Sequence, residues 1–122
     1  MKIQVRNDNP LVVNGQAELV KLATSAYSLI FVSKKYKLKP KELDFFVGCV
    51  LAWHNSIDIG STKFIDYMKN DYFVPYNKRV VYNLRYILTK KKWLKPTGDT
   101  LDIPDLFKSN INSLSINLLV KS

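Results

Sequence analysis

A chain of 122 residues, 47% hydrophobic and 12% aromatic, has enough apolar content to bury one core as a single domain, which excludes a disordered tail. Its 19 Lys and Arg against 10 Asp and Glu give a formal net charge of +9, so an anionic partner is expected: nucleic acid, a membrane surface or an acidic protein. One Cys and one His exclude an intramolecular disulfide and a multi-cysteine zinc site, and no apolar run approaches the roughly 20 residues of a membrane span.

Along the chain, residues 2–6 (KIQVR) alternate and predict a short strand, the NDNP at 7–10 a turn, and residues 11–13 a second short strand closed by Asn14-Gly15. A helix is expected over 16–35, with Leu19, Leu22, Ala23, Ala26, Leu29 and Ile30 at helical spacing as its apolar stripe. Pro40 opens a second helix over 40–55, where Leu43, Phe46, Val47, Val50, Leu51 and His54 fall on one side; it is the most hydrophobic helix and the centre of the core. Ile57 and Ile59 suit a very short strand. Ser61 caps a third helix over 62–70 that buries Phe64, Ile65 and Met68. Pro75 breaks the chain, and Asn77 caps a fourth helix over 77–92. Strands over 93–95 and 101–103 flank a turn at 96–100. Residues 113–121 (SLSINLLVK) alternate as a last strand that could pair with 2–6.

The fourth helix carries the strongest functional signal. At 100° per residue, Val81, Leu84, Ile87, Leu88 and Lys91 cluster on one side, while Arg79, Tyr82, Asn83, Tyr86 and Thr89 face the other, edged by Lys78 and Lys90. Between Asp71 and Asp99 there are seven Lys and Arg and no acidic residue. Arg and Lys meet phosphates, Arg and Asn read base edges, and Tyr bonds to phosphate or stacks on sugar. The bland alternative is an ordinary solvated face.

The order of helix 40–55, short strand, helix 62–70, turn, helix 77–92 and hairpin 93–103 resembles a winged helix-turn-helix domain. LTKKKWL, with Leu88, Lys90, Lys91, Trp93 and Leu94, is similar to the end of recognition helices in MarR-like regulators; Lys92 stands where such families carry a left-handed glycine. The opening KPKELDFF is similar to the start of the first core helix in these proteins, with Lys39 in place of the usual Ser or Thr cap. The chain also resembles small winged-helix proteins of tailed bacteriophages, and its Asn-, Lys- and Tyr-rich composition suits an AT-rich genome. The resemblance covers residues 38–104, with strand and helix 1–36 and strand 113–121 as additions, and implies an α+β fold, mainly α with a small β-hairpin wing.

The expected function is non-enzymatic binding of double-stranded DNA, as a phage-encoded transcription regulator that inserts helix 77–92 into the major groove. The candidate nucleic-acid-binding residues are Asn77, Lys78, Arg79, Tyr82, Asn83, Arg85, Tyr86 and Lys90 on that helix, with Lys95 and Thr97 in the wing. Lys78, Arg79, Tyr82 and Asn83 are placed for base contact, Tyr86 and Lys90 for phosphate. Asp99 and Asp102 weaken the wing, because carboxylates near phosphate are unfavourable. The alternative is an adaptor that docks on RNA polymerase, a replication protein or a virion component through the same basic surface. The cluster Lys34, Lys35, Lys37, Lys39 and Lys41 fits a second phosphate patch, an acidic partner, or simply a solvated helix end that complements the dipole. Helix 16–35 is the expected homodimer element, with Tyr27 and Phe31 as exposed anchors. Trp93 is expected to pack under the wing and Trp53 between helix 40–55 and a neighbour. Cys49 and His54 share no face well and no second His exists, so no metal or other cofactor is expected. Two Glu on different helices and the absence of a Gly-rich phosphate loop, nucleophile elbow or HExxH speak against catalysis. No membrane partner is expected, and residues 1–10 lack an apolar secretion core, which predicts a place in the cytoplasm, that of a bacterial host if phage-encoded.

Overall fold

The computed structural model describes residues 10–72 and 75–108, with side chains described from Ala17 onward. The expected strands at 2–6 and 113–121 lie outside the described residues. Among the described residues there are four α-helices, α1 (Pro10–Phe31), α2 (Pro40–His54), α3 (Thr62–Asp66) and α4 (Lys78–Lys90), followed by a two-stranded antiparallel sheet of β1 (Lys95–Thr97) and β2 (Thr100–Asp102). The fold is therefore mainly α with a small β-hairpin. Among the described residues no helix is long and apolar enough to cross a membrane.

Helix α1 departs most from expectation. It starts at Pro10 and runs through 11–15, where a strand and an Asn-Gly turn were expected. Pro suits the first helical position, and strand propensity at two Val is too weak a preference to interrupt a helix that packs elsewhere along its length. Its buried face is Ala17, Val20, Ala23 and Thr24, while Leu22, Leu29, Ile30 and Phe31 are exposed, so the helix is rotated away from the expected stripe. Small residues let α1 approach α2 closely, and the buried Thr24 hydroxyl donates to the Val20 carbonyl at 2.7 Å. The helix ends at Phe31. Lys34–Tyr36 form a separate 3-10 turn, and Lys39 before Pro40 is extended (φ −76, ψ 163).

Helix α2 is the centre of the molecule. Every residue from Phe45 to Ala52 is buried, a wider arc than one stripe, because α1, α4 and a 3-10 turn at Asp105–Lys108 pack around it. Gly48 faces the single π-type turn Tyr67–Asp71 that extends α3; a Cβ there would lie 2.5 Å from Met68 Cε. Two aromatic groups flank the helix. Phe46 meets Trp93 at 5.0 Å and Phe107 at 5.1 Å, both of which also touch Tyr27 of α1. On the other side Phe45 meets Phe64 and Tyr76. Burial pushes the phenols of Tyr67 and Tyr76 up to about 12.

Trp93 thus packs into the core between α1 and α2, not beneath the hairpin, and its indole N–H donates to the Tyr36 carbonyl at 2.7 Å. Trp53 is half-buried and covered by the Lys108 ammonium, 5.8 Å from its ring. His54 donates from Nε2 to the Phe107 carbonyl at 2.8 Å, closing the chain after the hairpin back onto α2. Cys49 is fully buried, and its burial pushes the thiol up.

The segment 55–61 forms turns with no strand at Ile57 or Ile59; Ile59 instead is a core residue. Ser61 caps α3 through its Oγ, which accepts from the Phe64 amide at 3.3 Å, and Phe64, Ile65 and Met68 are buried as expected. The hairpin is tighter than expected: its first strand starts two residues later, at Lys95, and its second one residue earlier, at Thr100. Lys95 pairs with Asp102, Pro96 with Leu101 and Thr97 with Thr100, leaving Gly98-Asp99 as a two-residue turn. Gly98 has φ +60, the requirement of a type II′ turn at its first central position. The pair nearest a two-residue turn is hydrogen-bonded, so alternation puts Pro96 at a non-bonded pair, where its missing N–H costs nothing.

Candidate nucleic-acid interface

Helix α4 is held to the core by one face and leaves the other in solvent. Val81, Leu84 and Leu88 are buried and Ile87 is half-buried, as the periodicity predicted. Asn77 is extended (φ −82, ψ 162), and its Oδ1 accepts from the Val80 amide at 2.9 Å. This candidate residue is thus occupied as a helix cap. The exit is set by Lys92, whose φ of +69 is left-handed, a conformation that glycine adopts most readily at a helix end. The expected end at residue 92 becomes Lys90, with Lys91 as the C-terminal cap.

The outward face carries Lys78, Arg79, Tyr82, Asn83, Tyr86 and Lys90, all exposed. None of these side chains makes an ion pair among the described residues. The tyrosines interleave with cations at helical spacing. Lys78 Nζ lies 5.9 Å from the Tyr82 ring and Lys90 Nζ 5.5 Å from that of Tyr86, both i,i+4 pairs. Each ring is 46% and 63% exposed respectively, so both keep a free edge for a ligand. No acidic residue occupies the first turn, where backbone amides favour an anion.

Arg85 behaves differently from the rest of the set. It is half-buried, with Nη1 donating to the Ile59 carbonyl at 2.8 Å and its guanidinium 5.0 Å from the Tyr82 ring. Its main observed work is to tie α4 to the turn before α3 and to hold Tyr82 against the helix. That role was not visible in the sequence, where Arg85 read as one more cation on the face.

Lys91, the half-buried C-terminal cap of α4, points its ammonium toward α2. Its Nζ lies 2.6 Å from Glu42 Oε1, with the two side chains only 20% and 8% exposed, and it also donates to the Lys37 carbonyl at 3.0 Å. Glu42 further accepts from the Lys39 amide at 2.9 Å, the N-terminal cap of α2. Burial alone would push the Glu42 carboxyl up, but the hydrogen bonds from Lys91 and the Lys39 amide outweigh it and hold the carboxyl below its usual value.

In the hairpin, Lys95 and Thr97 are exposed, as is Asp99. Asp102 is neutralised by Lys108, 2.7 Å away, which removes one of the two carboxylates that weighed against this element. That bond, with a second to Asp105, raises the Lys108 ammonium above its ordinary value. The hairpin turn lies beside the second half of α4, and a cleft of about 400 Å³ between them is lined by Tyr86, Thr89, Pro96 and Gly98. The structure therefore brings one edge of the hairpin next to the outward face of α4.

The chain matches no protein-family model, no curated protein and no solved structure. Among the described residues no group of three or more metal-ligating side chains comes together.

Proposed function

We propose that this chain is a winged helix-turn-helix module that binds double-stranded DNA, with α4 in the major groove and the β1–β2 hairpin as the wing beside it. The observation that carries this reading is the outward face of α4: exposed cations and tyrosines in alternation, no ion pair among them and no carboxylate in the segment. A face built only for solubility mixes both charge signs, whereas a face built for phosphate excludes acids. Lys78, Arg79, Tyr82 and Asn83, in the first half of the helix, are assigned to base edges and the phosphates next to them. Tyr86, Lys90, Lys95 and Thr97 are assigned to the backbone. Asn77 and Arg85 support this face from within, as cap and as tether. The module acts without catalysis, as a transcription regulator of a bacteriophage kind.

One observation favours a protein partner in addition. Leu22, Leu29 and Ile30 are exposed on one side of α1, with Leu29 at 79%. A homodimer through α1 fits the two-fold geometry with which such modules read paired half-sites, and an adaptor contact with a transcription or virion protein is the competing use of the same face. Binding of the purified chain to duplex DNA of random sequence at low salt tests the main reading. Binding that weakens steeply as salt rises supports it; no binding at low salt overturns it.

A further inference from the structure

The five lysines between α1 and α2 looked equivalent in sequence, but the fold sorts them. Lys37 donates to the Ser28 carbonyl at 3.0 Å in the last turn of α1, so its charge is spent on a helix end. Lys39 and Lys41 are exposed at the start of α2. Lys34 and Lys35 are exposed on the 3-10 turn, and Lys35 Nζ stands 5.0 Å from the Tyr36 ring. A second cation reaches the same ring from elsewhere in the chain: Lys92 Nζ, at the exit of α4, lies 5.5 Å from it. None of Lys34, Lys35 and Lys92 pairs with a carboxylate among the described residues.

Two further contacts fix this gathering in place. The Trp93 indole donates to the Tyr36 carbonyl at 2.7 Å, and Lys91 Nζ donates to the Lys37 carbonyl at 3.0 Å. Both donors belong to the exit of α4, so the 3-10 turn is clamped to the end of the helix and does not hang as a free linker. Lysines on a mobile loop relieve their mutual repulsion by spreading into water. Here a clamped turn and a left-handed helix exit bring Lys35 and Lys92 together at one ring, an arrangement that an anion stabilises.

We propose that Lys35 and Lys92, which share the Tyr36 ring, form with Lys34 on the same 3-10 turn a second phosphate-contacting element for duplex DNA at the exit of α4. This rests on the DNA-binding reading above. The dimensions agree. The 13 residues of α4 span about 20 Å at 1.5 Å each. A major groove is about 12 Å wide. A helix seated in the groove by its first half therefore carries its exit past the groove edge, to the sugar-phosphate strand that borders it. Lysines, which act as point charges, suit that position better than a base-reading one.

The test compares the full chain with the variant Lys34→Gln/Lys35→Gln/Lys92→Gln for binding to a random-sequence duplex of about 24 base pairs, across a salt series. Three lost phosphate contacts should reduce the slope of log affinity against log salt by about 2.7, with an unchanged thermal melt. If the triple variant melts early, Lys34→Gln/Lys35→Gln, confined to the exposed turn, should reduce it by about 1.8. An unchanged slope in a chain whose wild type binds DNA overturns this element and leaves the α4 reading standing. An unchanged slope on DNA with lost binding to poly-glutamate overturns it in favour of an acidic protein partner. A wild type that binds no duplex at low salt overturns both readings together.

Discussion

Lys92 holds a backbone conformation that an L side chain adopts only at a cost, because its Cβ crowds the following carbonyl. Lys92→Gly should raise stability by about 0.5–1 kcal/mol, read as a higher melting temperature; a lower one would mean that the Tyr36 contact outweighs the strain. Arg79 and Arg85 separate two roles that one sequence pattern merged. Arg79 is exposed and unpaired among the described residues, so Arg79→Ala should leave the melt unchanged while relaxing the preference among selected DNA sites by about 1–3 kcal/mol. Arg85→Ala removes a charged donor from the Ile59 carbonyl and should cost about 1.5–3 kcal/mol of stability. Equal effects of the two substitutions on the melt would contradict this division. What the sequence concealed is the direction of each long side chain. Spacing puts Arg85 near the outward face, but only the fold places a carbonyl within reach of it.

Among the elements, α2 and α4 were legible because both carry a local start signal together with a strong period: Pro40 and Asn77 at their starts, and apolar residues at three and four apart. The hairpin was legible from its Gly-Asp turn, although its register slipped by up to two residues because Trp93 and Leu94 serve the core before the strand begins. Helix α1 was misread for a reason intrinsic to its composition. With apolar residues on most sides, periodicity cannot say which face is buried, and the small Ala17, Ala23 and Thr24 won the place against α2 over the larger Leu22 and Leu29. The 3-10 turn at Asp105–Lys108 had no signal, since a single buried Phe107 anchors it. The lock between α2 and α4 was equally hidden, because Glu42 and Lys91 are 49 residues apart. Its carboxyl is held below the usual value in the fold, so the stability it confers is fully present above the unfolded value of about 4.3 and is lost as pH falls through the lower folded value. Glu42→Gln should cost roughly 3 kcal/mol at neutral pH and flatten the decline of stability below about pH 4.3. Acid and neutral melts that shift in parallel with wild type would contradict the lock.

At the scale of the molecule, two surfaces stand out among the described residues: the acid-free basic face of α4 with the hairpin beside it, and the exposed apolar side of α1. If α1 pairs two copies, Leu29→Gln/Ile30→Gln should convert a dimer to a monomer in sedimentation at micromolar concentration; a wild type that sediments as a monomer would reserve that face for another protein. The central claim is that the outward face of α4 meets DNA phosphate. The measurement that tests it most directly is duplex binding across a salt series by the wild type and by Lys78→Gln/Arg79→Gln, two exposed residues whose loss touches no core contact. The wild type should show a steep salt dependence and the folded variant a slope smaller by about 1.8. Equal slopes and equal affinities in the two proteins would contradict that claim.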